Sequence, residues 1–389
     1  MTRPLTVMLV AAEASGDALG ARLAQALRRR LGEGVHFVGV GGPKMAAEGI
    51  RSPFDIAELS VLGLVEGLMT WRKAVKRANE TVELAVREQP DVAVLIDSWG
   101  FTLRVATRLR KRLPGLKLVK YVGPQVWASR PGRAKTLAAT VDLLLATQPL
   151  DAPFYEPHGL PVVFVGNPAL AKDFSGADGA RFREAIGATP EEPVLLVLPG
   201  SRPSEIQRVM PAFEDAVNRL KAERPALQVA VAAAGTVAES VRARVAGWPH
   251  RAHLVEDGPD KDDAMVGSTL ALACSGTVTT ELALASCPMV VGYRLGGLTY
   301  ALLKPLFKPT WITLFNIAAD REVAPEFLQG TCTGENLAAA LAERLDNPDL
   351  RARQVELQGE ALDKMGRGIP DPSEAAADAV LTLVQGTGR

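Results

Sequence analysis

The stretch LLVLPGSRPSEIQRV, residues 195–209, passes from an unbroken apolar run through a glycine into a helical pattern. Leu195–Leu198 reads as a buried strand, Gly200 allows close backbone approach, and a helix starts near Pro203 or Ser204. Backbone N–H groups at such a start attract an anion, and Arg202 adds a bidentate donor. A plain turn capped by Ser201 or Ser204, with Arg202 in solvent, fits this stretch equally well. A second stretch, ALACSGTVTTELALASCPMVVGY (residues 271–293), tips the balance. It repeats the strand, the turn at Ser275-Gly276-Thr277 and the helix, with Glu281 one turn in. The loop suits a diphosphate, and Glu281 suits ribose hydroxyls. Read structurally, Ser275 or Thr277 would be a cap and Glu281 a partner for the positive helix end. Two such turns in one half favour a nucleotide diphosphate. Neither is GxxxxGK[ST] or GxGxxG, which weakens ATPase and dinucleotide readings.

The same grammar extends in both directions. LTVMLVAA, VHFVGVGG, DVAVLID, LKLVKYVGP, LLLAT and VVFVG read as buried parallel strands separated by helical patterns. A Gly/Pro-rich break at 166–182 is followed by VLLVLPG, LQVAVAAAG, AHLVED, TLALACSG and PMVVGYRL. The expectation is an α/β protein of two doubly wound domains, 1–168 and 169–365, with ligands in the cleft at strand C-termini. After the linker GRGIPDPS, a C-terminal helix within 366–389 is expected to pack back on an N-terminal domain.

Composition narrows the function classes. Hydrophobic residues make up 47% of the 389, enough for sizeable cores. Forty-four basic residues balance forty-four acidic ones, so no net field recruits nucleic acid. Cys274, Cys287 and Cys332 are widely spaced and fit a reducing compartment. No histidine–cysteine pattern has metal spacing. The N-terminus lacks the shape of a signal peptide, and no apolar run reaches the roughly 20 residues needed to cross a bilayer.

The first half carries its own candidates. Asp97 ends the apolar strand of DVAVLIDSWGF, where a carboxylate is well placed for general-base work. In EASGDALG (residues 13–20) the glycines are wrongly spaced for a phosphate cradle. Ser15 or Asp17 is expected to cap the helix, leaving Glu13 as a second acid at a strand end. YVGPQVWASRPGR groups Gln125, Trp127, Arg130 and Arg133, which suits a sugar or phosphate; Trp127 taken singly reads as packing. Two apolar-basic stretches suit acyl chains or a headgroup region. Residues 59–77 include Leu64, Leu68, Trp71, Arg72, Lys73, Lys76 and Arg77; residues 293–315 include Tyr293, Arg294, Trp311 and Phe315. Buried helices with charged ends are the alternative, favoured for the first stretch alone.

In series, EASGD, FVGVGGPKM, LSVLGLVEGL, IDSWGF, YVGPQVWA, LPGSR, SGTVTTE, CPMVVGYR and the segment bearing Asn316 resemble the lipid-A-disaccharide synthase family along nearly the whole chain. The resemblance implies a GT-B fold of two facing Rossmann-like domains and an inverting glycosyltransferase of lipid A (lipopolysaccharide) biosynthesis. Its substrates would be UDP-2,3-diacylglucosamine and 2,3-diacylglucosamine 1-phosphate, lipid X. It implies no metal and no cofactor. Asp97 falls on the family's catalytic carboxylate and Glu13 on the acid of its first loop. Arg202, Glu281 and Asn316 fall on positions linked to UDP binding or catalysis, and Gly200, Ser201, Ser275, Gly276 and Thr277 of the two turns read above join them as expected UDP-binding residues. The implied setting is the cytoplasmic face of a Gram-negative inner membrane, with a homodimer exchanging C-terminal segments. Trp99-Gly100 after Asp97, and Asn167 where the family carries His, depart from its pattern. A UDP-N-acetylglucosamine 2-epimerase, a transferase with a soluble acceptor, and a non-catalytic nucleotide-sugar-binding protein are the competing readings.

Overall fold

A computed structural model describes residues 3–60, 67–297, 300, 310–369 and 371–386, with backbone alone at 60 and 67–71. The chain divides into two compact units, with boundaries after Pro168 and after Gly368, and the segment beyond Gly368 belongs to the first.

The first unit contains strands β1 (Leu5–Ala11), β2 (Val35–Val40), β3 (Val92–Ile96), β4 (Lys117–Tyr121), β5 (Leu143–Ala146) and β6 (Val162–Phe164). They form a parallel sheet in the order β2-β1-β3-β4-β5-β6. Both faces are covered, which is why the strands are apolar at successive positions. Met8 and Val10 pack towards α2 (Gly67–Glu88) and α3 (Trp99–Arg112). Val7 and Leu9 pack towards α1 (Ala14–Leu31) and the C-terminal helix Pro372–Gln385. Arg30 of α1 pairs with Asp378 of that helix at 2.7 Å, and both Arg29 and Arg30 pair with Glu374. These basic residues also oppose the negative end of α1. The chain winds one way to β2 and the other way from β3, so the switch point lies between β1 and β3. Ala11 is in register with Ile96, and Glu13 and Asp97 therefore leave neighbouring strands at the same end.

The second unit contains β7 (Val194–Leu198), β8 (Gln228–Ala232), β9 (His253–Val255), β10 (Leu270–Cys274), β11 (Met289–Tyr293) and β12 (Glu326–Leu328). Its parallel order, β12-β11-β10-β7-β8-β9, is that of a Rossmann sheet with the switch point between β7 and β10. Leu195, Leu196 and Val197 are fully buried, each burial being worth about 1.5–3 kcal/mol. From the C-terminal ends of β7 and β10 come α4 (Pro203–Arg208) and α5 (Thr277–Leu284). Behind β11, α6 (Pro348–Lys364) buries Gln354 and Gln358, whose amides donate to the carbonyls of Met289 and Cys287 at 2.7 and 3.1 Å. The edge strand β12 has no counterpart among the strands read from sequence. Three half-buried residues are too short a run to show a period.

Candidate active site

At the switch point of the second unit, the turns after β7 and β10 enclose a cavity of about 270 Å³. Gly200, Ser201, Arg202, Ser275, Gly276, Thr277 and Glu281 all line it, so two stretches far apart in sequence meet here. Asp257, Lys261, Glu205 and Cys274 complete much of the wall. Gly276, at the N-cap of α5, has no side chain to occupy the first N–H groups of that helix, whose residues Thr277 and Val278 line the cavity. Glu281 Oε2 is buried and accepts no hydrogen bond among the described residues, although Lys261 and Lys172 ammoniums lie at 3.2 and 3.6 Å.

The other turn differs from expectation. Its backbone N–H groups are not free: Ser201 and Arg202 donate to Glu205 Oε2 at 2.9 and 3.2 Å. The buried Glu205 carboxylate thus closes the loop from inside, where an anion was expected. Gly200 is required at this point, because its φ is +117° and a Cβ added there would lie only 2.5 Å from Glu205 Oε2. Arg202 keeps most of its donors, its exposed guanidinium touching Glu205 through one nitrogen at 3.2 Å. Asn316 lies apart from this cavity lining. It is fully buried, accepts from the Val323 and Ala324 N–H groups at 2.8 and 3.0 Å, and donates to the Ala324 carbonyl and Glu326 Oε1 at 2.8 and 2.9 Å. All four of its hydrogen-bonding positions are used within the protein. Burial pushes the Cys274 thiol well above its ordinary range, which suits packing rather than nucleophilic chemistry.

In the first unit, Asp97 and Ser98 both adopt left-handed backbone, φ +48° and +37°. Such residues cost on the order of 1–3 kcal/mol each and persist only when surrounding contacts hold them. Here the Asp97 N–H donates to the Tyr121 carbonyl at 2.9 Å, and the Thr102 hydroxyl lies 2.8 and 3.0 Å from the Asp97 and Ser98 carbonyls. Lys120 Nζ also donates to the Asp97 carbonyl. Glu13, at the N-cap of α1, is exposed. Neither Ser15 nor Asp17 caps that helix. Asp17 is buried in its first turn and accepts from the Gly42, Lys44 and Met45 N–H groups at 2.8–3.0 Å, tying down the GGPKM turn instead. Of the YVGPQVW group, Trp127 is buried as packing, while Arg133 stacks over the Trp99 ring at 5.2 Å. The substituted Trp99 therefore ties the Asp97 turn to the loop after β4.

Over residues 7–380 the sequence fits the model of a family described as lipid-A-disaccharide synthetase. The chain belongs to this family. A lipid-A-disaccharide synthase of Rhodospirillum centenum is 41% identical, covering 98% of this chain and 95% of its own. Among solved structures, UDP-GlcNAc 2-epimerase from Neisseria meningitidis bound to UDP-GlcNAc superposes with TM-score 0.61 at 11% identity, over 97% and 100% of the two chains. Acinetobacter baumannii MurG gives 0.56 at 16%, again over 97% and 100%. At those identities the likeness shows the fold, α/β of GT-B type, and the epimerase match carries no activity across.

Parts of both apolar-basic stretches lie outside the described residues. Leu64 and the side chains of Leu68 and Trp71 lie outside the described residues. Arg72, Lys73 and Lys76 are exposed on α2, whereas Arg77 turns inward to Glu58 and Glu80 and covers the Phe54 ring at 4.8 Å. In the second stretch Trp311 is half-buried, but Phe315 is fully buried in the core and Arg294 donates to the Cys332 carbonyl. Phe315 and Arg294 are therefore not part of an outward face. Among the described residues no helix is long and apolar enough to cross a membrane, and no group of three or more His, Cys, Asp or Glu is placed to hold a metal. The sequence reading missed Glu205, Lys172, Lys261 and Lys120. Only Lys120 left a signal, as a charge inside the apolar run LKLVKYV.

Proposed function

We propose that the chain condenses UDP-2,3-diacylglucosamine with 2,3-diacylglucosamine 1-phosphate, giving a β-1,6-linked disaccharide 1-phosphate and UDP. The broader activity is that of the family, a hexosyltransferase of lipid A biosynthesis. The observation supporting the detailed reading is the cavity at the β7/β10 switch point, where Gly200, Ser201, Arg202, Ser275, Gly276, Thr277 and Glu281 converge. In this reading Glu281 Oε2 accepts from a ribose hydroxyl, while Arg202 and the first N–H groups of α5 take up charge on the departing diphosphate. Losing one such donor costs about 3 kcal/mol of barrier. Asp97 accepts the proton of the acceptor 6-hydroxyl as its oxygen attacks the anomeric carbon opposite UDP. One C–O bond forms, the bond to UDP breaks, and the configuration inverts. Glu13 is the second acid of this edge, and Asn316 contributes by holding Glu326 and the 323–324 backbone in place.

Leu64, Leu68, Trp71, Arg72, Lys73 and Trp311 are proposed to meet the acyl chains and anionic headgroups, holding the protein peripherally at the inner membrane. The proposed assembly is a homodimer exchanging C-terminal segments. The deciding assay follows UDP release from the diacylated donor. Release that requires the phosphorylated acceptor supports the reading; release independent of acceptor, or epimerisation of UDP-N-acetylglucosamine at a comparable rate, overturns it. For the membrane, co-sedimentation with anionic vesicles should weaken when Trp71, Lys73 and Lys76 are replaced together. Unchanged sedimentation removes this stretch from the proposal.

A further inference from the structure

Lys120 sits in β4, in register with Leu95 of β3, and is only 2% exposed. An ammonium inside a parallel sheet is costly unless it is hydrogen-bonded. Its Nζ donates to the Asp97 carbonyl and, at 2.9 Å, to the Thr102 hydroxyl. That hydroxyl in turn bridges the Asp97 and Ser98 carbonyls. These contacts converge on the two consecutive residues held in left-handed backbone at the β1/β3 switch point. An apolar side chain at this position would satisfy the core at no desolvation cost, so the amine answers to something other than packing. What it touches is the turn that aims Asp97.

We infer that Lys120 is a positioning residue: through the Asp97 carbonyl and Thr102 it holds the 97–98 turn in the conformation that presents the Asp97 carboxylate. The inference rests on the reading of Asp97 as general base. Burial pushes the Lys120 amine down to about 7, with the Asp97 charge opposing that shift. Without the amine, the turn can relax towards ordinary right-handed backbone, swinging the carboxylate away. Misplacement of a reacting group by about an ångström costs on the order of a hundredfold in rate.

The test is a double-mutant cycle on the full-length enzyme with the diacylated donor and acceptor. Lys120→Met is expected to lower kcat about ten- to a hundredfold, leaving UDP affinity by calorimetry and donor KM within twofold and Tm no lower than wild type. In an Asp97→Asn background the same substitution is expected to cost nothing further, because the residue acts through Asp97. Thr102→Val, which removes the bridge and keeps Lys120, should slow kcat in the same sense and carries the test if Lys120→Met does not fold. A kcat within twofold of wild type for the variant that folds overturns the inference, as does a loss that multiplies in full with that of Asp97→Asn. If Asp97→Asn alone turns over near the wild-type rate, the base assignment has failed instead, and the two failures are told apart.

Discussion

The two units end their central strands in opposite ways. In the second unit the left-handed position after β7 belongs to a glycine, Gly200 at φ +117°, and the turn after β10 runs through Gly276. In the first unit the corresponding edge puts side-chain-bearing residues into left-handed backbone: Asp97, Ser98, then Val122 at φ +66° and Arg130 at φ +53°. Val122 is the most unexpected, since a β-branched residue is a clear outlier there, and its N–H is anchored to the Leu145 carbonyl at 3.0 Å. On the proposed roles, the difference follows from what each edge presents. The Gly200 turn closes on Glu205, where a Cβ would collide, so the amides it leaves for the proposed diphosphate are those at the start of α5. A proton acceptor must be a side chain at a set position, so the turn carrying it holds strain against a buried scaffold.

That contrast can be broken most sharply at Asp97. Asp97→Asn should lower kcat by about 10²–10⁴-fold with UDP affinity unchanged in calorimetry, and near wild-type turnover would leave the strained edge without its chemical purpose. Arg202→Ala, on the glycine-built edge, should instead weaken UDP binding and slow transfer together, by about 3 kcal/mol in kcat/KM. Gly200→Ala forces a Cβ against Glu205 and should cost about 1–3 kcal/mol in urea unfolding, with looser UDP binding.

Two buried charges of the first unit should give opposed pH slopes. Burial raises Asp151 from 3.8 to about 7, so the stability it confers below its unfolded pKa is lost as pH rises through about 7. Lys120 is lowered from 10.5 to about 7, so its contribution, present above 10.5, is lost as pH falls through about 7. Urea melts at pH 4, 7 and 9 should show Asp151→Asn flattening the first slope and Lys120→Met the second. The smallest effect is the most direct probe of strain. Ser98→Gly should stabilise by up to about 1 kcal/mol, opposite in sign to Gly200→Ala, and a loss in thermal melts would mean the left-handed turn costs nothing.

Much of this was legible because it is local. Each strand–turn–helix unit carries its apolar run, its turn residues and its helix pattern within about 15–20 residues, and the seven residues named from the turns after β7 and β10 lie on such units. The errors share one cause. Ser201 and Arg202 looked free because nothing local says that Glu205 folds back beneath them. Asp17 looked like a helix cap because its partners, Gly42 to Met45, lie well beyond α1. Phe315 looked like part of an aromatic-basic face because burial is a property of the whole unit.

By itself, then, the sequence determined the two α/β units, the family and the turns that line the cavity of the second unit, since these depend on short-range periodicity and backbone preference. Tertiary structure alone decided which carboxylate stands beside which, what closes the LPGSR loop and what lies beneath Asp97. Sheet order makes those decisions. Only when β4 pairs with β3, and β3 with β1, does a lysine 23 positions away come to hold the Asp97 turn.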